Sequence, residues 1–130
     1  LTRGSGRDEI VTATLQSVAY QTRDLIDSMS EDGVKPSVIR VDGGMVANDW
    51  FLQFLADILD IEVERPTNVE STVLGAAYLA GYRAGVVESP EALSSLWQRD
   101  RSFHPSMDEA QRGDLLHGWQ DAVNRVRSAD

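Results

Sequence analysis

The sequence predicts an α/β fold with two parallel strands and about five helices, in a sheet that needs further strands from outside the chain. Three observations predict it. Ser37–Val41 is a short, largely apolar run that ends in Asp42-Gly43-Gly44, so a strand passes through a glycine turn into a helix. A second short strand, Ile61-Glu62-Val63-Glu64, follows that helix, and a strand, helix, strand order makes a right-handed crossover with the two strands parallel neighbours. Two strands are not a stable sheet, and the first reads as interior, so partners beside it must come from elsewhere.

Taken in order, the first element is a long helix from Asp8 to about Met29, with Ile10/Val11, Leu15, Val18/Ala19, Thr22, Leu25/Ile26 and Met29 at helical spacing. Ser5 stands three residues before Asp8 in a capping-box spacing, and Asp8 and Glu9 place negative charge where the helix dipole favours it. Gly4-Ser5-Gly6 reads as loop flexibility in preference to a phosphate cradle. Ser30 to Pro36 is a polar loop leading to the first strand, a helix Val46–Leu59 follows the glycine turn, and Arg65-Pro66 ends the second strand. Asn68 to Ala84 is the third helix, capped by Asn68 and closed by Gly85; Gly75 in its small-residue middle predicts close backbone packing. Ser89-Pro90-Glu91 starts a short helix through Trp97, Arg99-Asp100-Arg101 reads as a charged link, and Phe103-His104-Pro105 as extended. The last helix, roughly Asp108 to Arg127, carries Leu115/Leu116, Trp119, Val123 and Val126 on one face, a stripe that reads as packing.

Composition narrows the function. A chain of 130 residues is expected to be one domain, and its net charge of -9 argues against nucleic acid or an anionic membrane as partner, since both require basic patches. No apolar run is long enough to span a bilayer. With no cysteine there is neither a disulfide framework nor a thiolate metal site, which suits a reducing cytoplasm. The chain opens with Leu1, without an initiator Met or signal peptide, and is therefore expected to be a piece of a longer protein.

The place best suited to a ligand is Val41-Asp42-Gly43-Gly44-Met45-Val46-Ala47-Asn48. Gly43 and Gly44 let the backbone approach a ligand with no Cβ in the way, and the unpaired N–H groups of a helix start favour an anion. Asn48 is expected one helical turn beyond Gly44 on the same side, its amide free to hydrogen-bond a sugar or base. Asp42 is a turn-capping candidate. The same arrangement also serves as an ordinary connection, and there is no Gly-x-x-x-x-Gly-Lys-Ser/Thr loop or Gly-x-Gly-x-x-Gly fingerprint. His104 and His117 lack partners at metal spacing, and no Gly-x-Ser-x-Gly elbow occurs. Asp24 with Asp27, and Asp57 with Asp60, read as solvated helix faces.

Several long blocks together carry a resemblance. Val41 to Asn48 followed by Gln53-Phe54-Leu55-Ala56-Asp57-Ile58-Leu59 resembles the adenosine-binding segment of glycerol kinases, within the FGGY carbohydrate kinases. Leu1 to Gly4 with Ala13 to Asp24 resembles that family's second signature, and Val63-Glu64-Arg65-Pro66 with Glu70 to Gly81 matches it downstream. The resemblance implies a ribonuclease H-like domain of the actin and hexokinase ATPase type, in which three earlier strands precede the long helix and complete the sheet. It implies that residues 1–130 are the nucleotide-side part of the C-terminal domain, with the N-terminal domain and first strands absent. It implies that the whole enzyme transfers the γ-phosphoryl group of ATP to a terminal hydroxyl of glycerol, with Mg2+ and closure of two domains. On this resemblance Gly44 and Asn48 are nucleotide contacts and Gly43 gives backbone access. The family's catalytic aspartate and glycerol-binding residues match nothing in this chain. Asp49 departs from the second Asn of many glycerol kinases, which leaves the contact set there open. Tyr20, Gln21, Arg23 and Asp24, the signature's polar positions, read as packing and ion pairing.

The chain alone is therefore expected to be catalytically inactive and to self-associate through its open sheet side. Two alternatives stand beside glycerol: a parent enzyme acting on another polyol or sugar, and a non-catalytic interaction module.

Overall fold

A computed structural model describes residues 2–68, 70–87, 89 and 97–127. Helix α1 (Arg7–Glu31) leads to strand β1 (Val38–Arg40), a 3-10 turn (Gly44–Ala47), helix α2 (Asp49–Leu59) and strand β2 (Glu62–Pro66). Helix α3 (Ser71–Arg83), strand β3 (Arg99–Phe103) and helix α4 (Glu109–Arg127) complete the order. The sheet runs β1-β2-β3. The expected crossover is present: β1 and β2 are parallel, with Val38, Ile39 and Arg40 opposite Glu62, Val63 and Glu64.

The expectation of two strands is corrected by a third. The supposed charged link at Arg99-Asp100-Arg101 is strand β3, antiparallel to β2, with Phe103 opposite Val63 and Arg101 opposite Arg65. Charge did not expel it from the sheet because each charge is met: Arg99 pairs with Glu64, Asp100 with Arg65 and Arg101 with Asp49. The predicted short helix from Ser89 to Trp97 lies largely outside the described residues. Among the described residues there are four α-helices.

Helix α2 is the centre of the core. Its sequence is apolar on nearly every side, which suits a helix covered all round. Phe51, Leu52, Phe54, Leu55, Ala56, Ile58 and Leu59 are all buried, together with Ala19 and Tyr20 of α1, Val63 of β2 and Phe103 of β3. Leu115, Leu116 and Trp119 of α4 pack on this core, as the stripe predicts. Tyr20 meets Phe54 edge-on and stacks on Trp119, with ring centroids 5.8 and 5.4 Å apart.

Asp57 is buried, contrary to the solvated-face expectation. Its Oδ1 accepts from the backbone N–H groups of Ser106 and Met107 at 2.6 and 3.1 Å and from Gln53 Nε2 at 3.1 Å. The carboxylate thus satisfies donors that a buried approach to α4 would otherwise leave unpaired. Asp24 and Asp27 are also engaged, with Trp119 Nε1 and Arg23 respectively. At the start of α1 the cap is Gly6, one residue later than expected: the Glu9 carboxylate accepts from the Gly6 N–H at 2.7 Å, while Ser5 Oγ accepts from Thr2 N–H.

Strand β1 stands at the open edge of this sheet, with Val38 and Arg40 exposed and Ile39 half-buried, as expected of a strand whose further partners come from outside the chain. The apolar residues Ile10, Val11 and Leu25 of α1 are more than half exposed. None of the α3 side chains described is buried, and a Cβ at Gly75 would meet nothing within 4 Å. Close packing at Gly75 therefore has no partner among the described residues. The end of α3 is as predicted: Gly85 has φ +73°, Gly85 N–H donates to the Tyr82 carbonyl and Val86 N–H to that of Gly81, a Schellman closure.

Candidate functional site

The parallel strand β1 delivers the chain to the bend at its C-terminal end, the side of an open α/β sheet where ligands bind. Val41 N–H still donates to the Glu64 carbonyl at 3.1 Å, after which the chain leaves the sheet. Gly43 has φ +90° and ψ 176°, a conformation in which any Cβ is strained, so glycine here is a backbone requirement. Gly44 is exposed, and the space a Cβ would occupy is open to 4 Å. The 3-10 turn closes with Val46 N–H donating to the Gly43 carbonyl and Asn48 N–H to that of Met45, and the buried Val46 side chain anchors it. A ligand can therefore lie directly against bare backbone at Gly44.

Asn48 is brought to the same bend, though not as expected. The α-helix starts one residue after it, and Asn48 is its N-cap, in extended conformation with Oδ1 accepting from Phe51 N–H at 3.1 Å. Asparagine favours this position because its short carbonyl reaches the third residue of the helix. Capping uses the oxygen and leaves the two Nδ2 donors outside the cap, on an exposed residue. Gly43, Gly44 and Asn48 thus share one six-residue connection. Asp42 is exposed and makes no side-chain hydrogen bond with a described residue, so the capping role expected of it is not seen.

Sequence reasoning missed the residue beneath the bend. The Arg65 side chain, only 15% exposed, donates from Nη1 to the Val46 carbonyl at 3.0 Å and to Asp49 Oδ1 at 2.7 Å. Its Nε donates to Asp100 Oδ2 at 2.8 Å. Arg101 also pairs with Asp49, so the carboxylate at the first position of α2 is shared by two guanidinium groups. The signal was strand parity. In β2 the fully buried Val63 and Arg65 are two residues apart and share a face, and a charge on the inward face must have partners. Glu64, expected on a wet face, is 8% exposed beneath Arg40 and Arg99.

Among the described residues no three His, Cys, Asp or Glu side chains converge on a metal position. A groove of about 360 Å³ between α1 and α4, lined in part by Ala13, Tyr20, Leu115 and Trp119, involves none of the bend residues.

The sequence profile of the FGGY family of carbohydrate kinases, C-terminal domain, matches residues 1–84. The chain belongs to this family. Glycerol kinase 1 of Pseudomonas aeruginosa is 56% identical over 128 residues, covering 98% of this chain and 26% of its own length. A glycerol kinase of Ectopseudomonas mendocina is 57% identical over 129 residues, with the same coverage. The FGGY chain thus spans about a quarter of the length of the curated relatives it matches. Among solved structures, Plasmodium falciparum glycerol kinase with ADP superposes with a TM-score of 0.78 at 37% identity, covering 96% of this chain and 25% of that one. Xylulose kinase from Lactobacillus acidophilus, at 22% identity and a TM-score of 0.80 over 99% of this chain and 26% of that one, shows the fold alone. The fold is that of the FGGY kinases, of actin and hexokinase ATPase type, as the resemblance implied.

Proposed function

We propose that residues 1–130 are the nucleotide-side part of the C-terminal domain of a cytoplasmic glycerol kinase. The complete enzyme transfers the γ-phosphoryl group of ATP to a terminal hydroxyl of glycerol and yields glycerol 3-phosphate. The observation that carries this reading is the 56 to 57% identity to glycerol kinases over 98% of the chain. The bend supplies the chemistry that such a half-site needs. Gly43 and Gly44 present bare backbone to the nucleotide, and Asn48 Nδ2 donates to an acceptor on its sugar or base.

Phosphoryl transfer requires positioning and neutralisation of phosphate charge, with a carboxylate receiving the hydroxyl proton. The residues here serve the first of these. In a kinase of this kind Mg2+ would neutralise charge on the transferring phosphate, and the described residues offer no carboxylate set to hold it. The carboxylate that receives the proton and the glycerol contacts match no residue here, so the 130-residue chain alone is inactive. Its exposed edge strand β1 makes it prone to self-association.

A coupled assay with glycerol, ATP and Mg2+ tests both parts. The complete enzyme turns over on glycerol in preference to other polyols and sugars, and the isolated chain shows no turnover. Turnover by the isolated chain refutes the division of labour, and preference of the complete enzyme for another polyol refutes the substrate.

A further inference from the structure

We propose that Arg65 is a positioning residue for nucleotide binding, holding the Gly43 to Asn48 bend in shape from the sheet side; this rests on the nucleotide reading of that bend. Four observations carry it. First, the bend is a 3-10 turn, whose hydrogen bonds are poorer than those of an α-helix, so its shape depends on outside contacts. Second, among the described residues Arg65 is the side chain that donates to a carbonyl inside that turn, at Val46. Third, the same Nη1 reaches Asp49, the first residue of α2, so one nitrogen ties the turn to the helix start on either side of Asn48. Fourth, the other end of the guanidinium is fixed: Nε and Nη2 both lie within 2.8 Å of Asp100 Oδ2 on β3.

A rigid planar fork anchored at one end aims its remaining donor, which a lysine point charge cannot do. Strand β3, remote from the bend in sequence, is in this way coupled to the position of Gly44. Charge acts in the same direction. Without the Arg65 cation, Asp100 loses its partner among the described residues and Asp49 keeps only Arg101 among them, so the surroundings of the bend become more repulsive to a polyphosphate.

The test uses the complete kinase carrying this domain, with Arg65→Gln, Arg65→Lys and Gly44→Val compared for ADP affinity by calorimetry and for steady-state constants. Arg65→Gln is expected to raise the ADP Kd and the KM for ATP about tenfold, with kcat and the KM for glycerol changed less than about twofold. Arg65→Lys is expected to recover part of that loss, leaving about a threefold weakening. If Arg65→Gln does not fold, Arg65→Lys decides alone. A folded Arg65 variant with lowered Tm but unchanged ADP Kd overturns the proposal and leaves Arg65 a stabilising residue only. Gly44→Val separates the two levels of the argument. Weakened ADP binding in Gly44→Val with none in the Arg65 variants defeats the positioning role alone, and unchanged binding in Gly44→Val defeats the nucleotide reading with it.

Discussion

Trp119 Nε1 donates a 2.8 Å hydrogen bond to Asp24 Oδ2, joining residues 95 apart in sequence, while the same indole stacks on Tyr20. Helix α4 is thus docked on α1 by an aromatic face and one polar contact. Replacing the indole tests the two separately. Trp119→Phe keeps the stack and loses an exposed hydrogen bond, and should cost no more than about 1 kcal/mol. Trp119→Ala removes the packing too and should cost about 3 kcal/mol, the low end for an aromatic because the side chain is only half-buried. Urea unfolding midpoints of the two variants measure the difference.

Asp57 organises the approach to α4 from inside the core. Alanine there strands the Ser106 and Met107 N–H groups and should destabilise by about 3 kcal/mol. Asp57→Asn keeps a carbonyl acceptor and should cost roughly half as much. Thermal unfolding gives the ranking, and amide exchange at Ser106 and Met107 should speed up most in the alanine variant.

Glu64 makes stability depend on pH. Burial alone would raise its pKa, but hydrogen bonds and charge from Arg99 and Arg40 outweigh burial and hold the carboxyl below its ordinary value. Because the folded state binds this proton less tightly than the unfolded chain, the stabilisation is fully present above the unfolded pKa. It is lost as pH falls through the folded one. Unfolding midpoints taken between roughly pH 3 and pH 7 should therefore drop towards acid, and Glu64→Gln should flatten that drop. An unchanged slope in the variant would show that other carboxylates carry the acid sensitivity.

The elements legible in the sequence were those set by near neighbours. The helical spacing of Ile10, Leu15 and Val18 marked α1, Leu115 and Trp119 marked α4, and the paired glycines marked the bend. Strand β3 was not legible, because Arg99-Asp100-Arg101 has the composition of a solvated link until Glu64, Arg65 and Asp49 are placed beside it. Along the chain Asn48 reads as part of the bend but inside a helix, whereas it is the helix N-cap. The 3-10 turn delays the helix start from Val46 to Asp49, and the amide is spent partly on capping. Along the chain Asp57 reads as a surface charge because its donors, Ser106 and Met107, lie about fifty residues downstream.

By itself the sequence determined the kinase family and the strand, bend and helix unit. Periodicity and propensity are properties of a few adjacent residues, so they can be read along the chain, whereas the positive φ that demands glycine at position 43 is seen only in the folded backbone. Only the tertiary structure decided where the charges of β2 and β3 go, and hence that Arg65 grips the bend. Its partners Asp49 and Asp100 stand 16 and 35 residues away, and an inward-facing guanidinium is stable only where folding sets carboxylates and a carbonyl around it.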